Sequence, residues 1–335
     1  MSFDNIIGHE FQKEALLRAS REWRVSHAYL FFGPDGIGKK LIAIGFGKIL
    51  NCLKGNPNGR YCDCNSCKKI EKGIHPDVFL VEYKGIKDIK VDQIREEVEE
   101  RLSFRPFEGR FKLAIVDDAH RMNLSAQNAF LKTLEEPPSD SVIVLISSQP
   151  QALLPTIRSR CQSIEFKSLP QDIIFEEIKK RTDLSPDECI IASRLSGGSL
   201  GRALSLDKNL LSQRKEIIMS LSSINPNRAS DVLGFTESIL KGSASGELEK
   251  LMLIFDIILL WLRDMALIKI GFDGELLSNR DLISATRKLA DRYSLDSILD
   301  KIEFLEEAWY TVFHGNANKQ IVIENLILKI TETTK

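Results

Sequence analysis

The segment from Ser26 to Lys40 constrains the fold more than any other part of the chain. His27-Ala28-Tyr29-Leu30-Phe31-Phe32 is a short apolar run that predicts a buried strand. It leads straight into Gly33-Pro34-Asp35-Gly36-Ile37-Gly38-Lys39-Lys40, and then into an Ile/Ala/Leu-rich segment, Lys40 to Leu53, that predicts a helix. Strand, glycine-rich turn and helix together form the context of a phosphate-binding loop, because backbone N–H groups and a helix N-terminus converge there on anionic oxygens. Gly33, Gly36, Gly38 and Lys39 suit such a loop, and the pattern G-x-x-x-x-G-K-[ST] is met at every position but the last. Lys40 stands where a Ser or Thr hydroxyl would hold Mg²⁺.

That replacement bears on chemistry. Unit charges ~4 Å apart interact by roughly 4 kcal/mol at an effective dielectric of about 20, and a divalent partner doubles this. An ammonium and a divalent cation therefore oppose each other in one pocket, and the hydroxyl ligand is missing as well. Three readings stand: hydrolysis of ATP, binding of ATP or ADP without turnover, and a packed turn that holds no nucleotide. The residue at 40 argues against the first.

A second element of such a site is an acidic pair at the end of a neighbouring strand. Lys112-Leu113-Ala114-Ile115-Val116 is apolar throughout and ends in Asp117-Asp118. Asp117 is placed to take a metal through water; Asp118 is one methylene shorter than the Glu that ordinarily orients the attacking water. Further strands are expected at Val78–Val81, Val142–Ile146 and Ser163–Phe166, with helices at Phe11–Arg24, Val91–Leu102 and Ser125–Glu136, the last stopped by Pro137-Pro138. Continuous apolar strands separated by helices predict a parallel sheet covered on both faces. After Leu169-Pro170 the strand signals stop and the chain reads as helical to its end. The expected division is an α/β domain over 1–168, a small helical domain over 169–207 and a larger helical domain over 208–335.

Cys52, Cys62, Cys64 and Cys67 lie close together around the turn-forming Asn56-Pro57-Asn58-Gly59. Four thiolates in so short a stretch suit tetrahedral Zn²⁺ with no open position, hence a structural site. Reduced, unliganded cysteines are the alternative, and the Cys62-x-Cys64 gap is tighter than usual. Cys161 and Cys189 stand alone in apolar surroundings and read as packing residues. His75, before Pro76-Asp77, reads as a turn residue. Arg158 and Arg160, after Pro155, read as a solvated loop or as a cation reaching a neighbour's phosphate.

With 335 residues, 43% hydrophobic and 28% charged, the chain is an ordinary globular one, and a formal net charge of −1 confines any nucleic-acid contact to a local patch. Met1-Ser2-Phe3-Asp4 lacks the marks of a signal peptide. The most apolar run, Leu251 to Leu262, is too short to span a bilayer and contains Asp256. A cytoplasmic location without membrane contact is expected.

Taken together, these residues resemble the clamp-loader branch of the AAA+ proteins. The resemblance runs through Ile6-Ile7-Gly8-His9, Ser26-His27-Ala28-Tyr29-Leu30, the glycine-rich loop, the cysteine knuckle and His75-Pro76-Asp77. It continues through Ile115-Val116-Asp117-Asp118-Ala119-His120, the string Leu131-Lys132-Thr133-Leu134-Glu135-Glu136-Pro137-Pro138, and Ile157-Arg158-Ser159-Arg160-Cys161. It implies an AAA+ P-loop module, a three-helix lid and a helical collar that holds a ring together. It also implies a DNA polymerase III assembly, a nucleotidyltransferase complex active in DNA replication, in which the ring uses ATP to place a sliding clamp on primed DNA. The implied partners are the gamma/tau ATPase and delta subunits, the clamp, and DNA through the complex. On this mapping Arg160 is an arginine presented in trans to an adjacent ATPase subunit, Ser147 or Ser148 ends the sensor-1 strand, and Arg202 lies near the sensor-2 position. Lys40 and Asp118 depart from the hydrolysing pattern and suit a non-hydrolysing member; a gamma/tau-type ATPase is the alternative. A stand-alone remodeller or helicase would need a working hydrolysis site and a pore loop, and the sequence offers neither.

Overall fold

A computed structural model describes all residues except 1–2, 56–57, 83–87, 227, 241–246, 273, 275, 316 and 333–335. The chain divides into two compact units, Met1–Pro170 with Gly198–Gly201, and Gln171–Gly197 with Arg202–Lys335.

The first unit is built on five parallel strands: β1 (Ala28–Phe32), β2 (Val78–Val81), β3 (Lys112–Val116), β4 (Ser141–Ser147) and β5 (Gln162–Glu165). Their order across the sheet is β2-β3-β4-β1-β5. Every residue of β3 and β4 is buried, which explains why these strands read as unbroken apolar runs. The strand period of two still sorts their side chains. Tyr29, Phe31, Leu113, Ile115 and Val144 point into one core with Ile42 and Phe46 of the helix Lys39–Asn51. Ala28, Leu30, Ala114, Val116 and Leu145 point into the other, with Phe130 of the helix Leu124–Glu135 and Ile157.

The expected elements form, with three local differences. The helix expected over 91–102 contains one π turn, Arg95–Glu99, between Val91–Ile94 and Glu100–Ser103. Asn65–Glu71 is a helix capped by Cys64, whose Sγ accepts from the Cys67 N–H at 3.5 Å. Pro155–Arg160 is also a helix rather than a loop; Pro155 at its first turn is a start signal, since proline has no N–H to leave unpaired there.

A hub of two buried polar side chains fastens the exposed loop before β3 to the rest of this unit. Asp77 Oδ1 accepts the Phe107 N–H at 2.7 Å, and Oδ2 accepts those of Glu108 at 2.8 Å and Gly109 at 2.7 Å. Asn51 Oδ1 takes the next two, Arg110 at 2.8 Å and Phe111 at 2.9 Å. A Cβ at Gly109 would meet Asn51 Oδ1 at 2.5 Å, so only glycine permits this approach. His75 is the turn residue expected: its Nδ1 accepts the Asp77 N–H at 3.0 Å, and Nε2 lies 3.1 Å from Ser66 Oγ. Cys161 and Cys189 are buried, as packing residues should be.

The second unit is helical. Pro186–Leu195 starts with a capping box between Ser185 and Glu188. Glu247–Lys269 packs against Leu295–His314 and Ile283–Ala290. Buried Asp264 accepts the N–H groups of Ser278 at 2.9 Å and Asn279 at 2.7 Å, while buried Arg214 pairs with Asp281 at 2.6 Å.

Burial works to raise the Asp77 carboxyl, but its three backbone donors outweigh that and hold it below the ordinary range. A carboxyl depressed in the folded state adds stability that is full above its unfolded value, about pH 4, and is lost as pH falls through the lower folded value. Asp77→Asn is therefore expected to lower unfolding free energy by about 2–3 kcal/mol at neutral pH and to flatten the acid limb of stability against pH, measured by urea titration at several pH values.

Candidate functional site

β1 lies between β4 and β5, with Leu30 opposite both Leu145 and Ser163. Its C-terminal end therefore opens among strand ends, the usual ligand crevice of an open parallel sheet. There the chain turns through Gly33, Gly36 and Gly38, at φ 142°, 71° and 105°. Gly33 donates to the carbonyl of Ser147 at 3.2 Å, and a Cβ on Gly33 would strike the Phe166 carbonyl. Gly201 donates to the carbonyl of Gly36 at 3.0 Å. Backbone bonds thus pin the loop at two of its glycines.

Lys39 is almost fully buried, and its Nζ donates to the loop's own carbonyls, Gly33 at 2.7 Å and Pro34 at 2.6 Å. Burial pushes this ammonium below its ordinary pKa, only partly offset by Asp35, Asp117 and Asp118. Lys40 faces the acidic side: its Nζ pairs with Asp117 Oδ2 at 3.1 Å and with Glu82 Oε1. Burial works to lower the Lys40 pKa, but these two carboxylates outweigh it and raise it. Asp118 sits in the left-handed region at φ 49°, and its carboxyl is pushed up by burial and by Asp117 beside it. Gly33, Gly36, Gly38, Lys39, Lys40, Asp117 and Asp118 are thus brought together by the fold.

Glu82 was not among the residues expected here. The register supplies it: Val81 lies opposite Val116, so the residues that follow, Glu82 and Asp117, leave adjacent strands side by side. Two apolar strands each ending in an acid were the available signal. Ser147 is fully buried at the end of β4, and its Oγ accepts the Gln149 N–H at 3.0 Å. In the second unit Arg202 pairs with Asp256.

Away from this loop, Cys52, Cys62, Cys64 and Cys67 place their sulfurs within 4.8 Å of one another. Cys52 Sγ lies 3.5 Å from Cys62 Sγ and 4.0 Å from Cys64 Sγ. A tetrahedron with metal–sulfur bonds of about 2.3 Å has edges of about 3.8 Å, so this donor set fits one metal ion. Burial works to raise the Cys64 thiol, but N–H groups of Cys67 and Leu53 and the nearby sulfurs bring it down to about 6, whereas burial and Cys64 push Cys67 up. The tight Cys62-x-Cys64 gap is accommodated because Cys64 caps the helix that carries Cys67.

Arg160 ends the helix Pro155–Arg160 at the surface. One terminal nitrogen donates to the Thr156 carbonyl at 3.0 Å, and the other pairs with Glu135 Oε1 at 2.7 Å.

The parallel sheet, the loop after β1 and the acids after β2 and β3 define an AAA+-type P-loop fold. Residues 8–170 match the family described as DNA polymerase III, delta subunit, and residues 208–332 match its C-terminal family. The chain is 32% identical over 315 residues to DNA polymerase III subunit delta′ of Bacillus subtilis, covering 92% of each chain. Identity to the delta′ subunit of Pseudomonas aeruginosa is 30% over 316 residues, covering 91% of each. To DNA polymerase III subunit tau of Bacillus subtilis it is 29% over 357 residues, covering 99% of this chain and 62% of that protein. The chain belongs to the family of DNA polymerase III clamp-loader subunits, with delta′ and tau/gamma proteins as homologues. Among the described residues, no helix is long and apolar enough to cross a membrane.

If Lys40 occupies the place of a divalent cation, Lys40→Ser frees two carboxylates and restores a hydroxyl. Magnesium is expected to leave the melting temperature of the unsubstituted chain unchanged and to raise that of Lys40→Ser by about 2–4 °C, read by calorimetry with and without the ion.

Proposed function

We propose that this chain is a delta′-type, non-hydrolysing subunit of the clamp loader, which helps to place the sliding clamp on primed DNA. The observation that carries this is the Lys40 ammonium paired with both Glu82 and Asp117. A fixed organic cation there occupies Asp117, in the place of the acid that a hydrolysing site offers to Mg²⁺, and it has no exchangeable water to activate. Lys39, bonded to the carbonyls of its own loop, points the same way.

Its contribution to turnover is Arg160, presented in trans to the γ-phosphate of an adjacent gamma/tau-type ATPase subunit. A guanidinium at that place offsets charge as the phosphoryl group transfers. The other partners are the delta subunit, the clamp and, through the complex, DNA, in the cytoplasm. Residues 169–207 act as a lid and 208–335 as the collar; the separate family matches at 8–170 and 208–332 support a functional boundary near 208. Zinc is the metal we assign to Cys52, Cys62, Cys64 and Cys67. An all-sulfur set with no open position suits a structural ion, which would tie the end of the helix Lys39–Asn51 to Asn65–Glu71.

The isolated chain is expected to turn over no ATP above background, and Arg160→Ala is expected to slow hydrolysis by the reconstituted complex at least about tenfold. Brisk turnover by the chain alone, abolished by Lys39→Ala, would establish the gamma/tau-type alternative instead. Elemental analysis of the purified protein should find about one zinc per chain, reduced in Cys64→Ser; a value near zero without chelator would remove the assignment.

A further inference from the structure

We infer that Glu135 is the positioning residue for Arg160, holding its guanidinium in the orientation in which it meets a neighbour's phosphate; this rests on the trans role proposed above for Arg160. A surface arginine ordinarily samples many rotamers, and freezing them at the moment of use costs free energy. Arg160 is held at two points. The Thr156 carbonyl one turn back in its own helix takes one terminal nitrogen at 3.0 Å, and Glu135 Oε1 takes the other at 2.7 Å. These bonds use one N–H of each terminal nitrogen. The Nε–H and the second N–H of each terminal nitrogen remain for an outside anion, which is the fork that phosphate oxygens match.

The two anchors are themselves fixed. Glu135 is the last residue of the helix Leu124–Glu135, and Pro137-Pro138 prevents that helix from continuing. Leu134, beside Glu135, is buried with Phe130 in the same core as Leu153, Ile157 and Cys161, which flank or belong to the arginine's helix. The two short helices therefore share one apolar foundation, and their polar ends meet at the surface above it. Glu135 is half exposed, so the pair adds little to stability by itself; exposed ion pairs contribute about 0–1 kcal/mol. An interaction of small energetic value at this spot has its effect through orientation.

The test uses the reconstituted clamp-loader complex and its steady-state ATP hydrolysis. Glu135→Ala should lower kcat by roughly three- to fivefold, with KM for ATP little changed, because the arginine acts on transferring charge rather than on ground-state binding. Glu135→Gln, which keeps an acceptor oxygen for the guanidinium, should recover most of the loss. Glu135→Ala combined with Arg160→Ala should be no slower than Arg160→Ala alone, as expected when one residue acts only through the other. Full activity of Glu135→Ala in a complex that Arg160→Ala does slow would overturn the positioning role and leave the trans arginine standing. Faster turnover by Glu135→Ala would overturn it too, marking the pair as a restraint. No effect of Arg160→Ala would overturn both readings.

Discussion

Parallel pairing of β1 with β4 on one side and β5 on the other is the constraint on which the first unit depends. It fixes where Phe32 ends and Gly33 begins, beneath the carbonyls of Ser147 and Phe166. The chain must reverse there within a few residues and start a helix whose inner face, Ile42 and Phe46, covers the same sheet. Positive φ at three glycines is the only inexpensive way to do this. The loop is thus a packing solution before it is a ligand site, and its geometry persists with Lys39 bonded inward to its own carbonyls.

The same sheet explains why the acidic side of the site survives in altered form. Adjacent parallel strands deliver Glu82 and Asp117 to one place, where like charges would repel unless a cation joined them. In a hydrolysing P-loop protein the acid in the place of Asp117 meets Mg²⁺; here Asp117 and Glu82 both meet the side chain of Lys40, one residue beyond the loop lysine. Covalent attachment makes it permanent and supplies no Lewis acidity. The buried hub of Asn51 and Asp77 secures the chain at the opposite ends of these strands, before β2 and β3.

Some structure was legible because it is written in local pattern. The strands at Val78–Val81 and Lys112–Val116 appear where the apolar runs lie, and the helix Leu124–Glu135 stops before its two prolines, because burial on both faces and the missing N–H of proline leave direct marks. The helix Pro155–Arg160 was less visible: it is only six residues long, too short for a periodic apolar face, so a loop was the natural reading. Asn51 and Asp77 left no trace as hub residues, since a side chain that gathers N–H groups from residues 107–111 resembles any other polar residue until the distant segment is in place.

The sequence by itself determined the class of protein, the replacement at Lys40, the four-cysteine cluster and the surface arginine, because each depends on residue type at fixed spacing. Tertiary structure decided what those residues touch. That Lys40 reaches Glu82 as well as Asp117 follows from strand register, and that Arg160 rests on Glu135 follows from two helices sharing one core. Spacing along a chain encodes the donors and acceptors a site has, whereas only packing brings partners that are dozens of residues apart within hydrogen-bond distance.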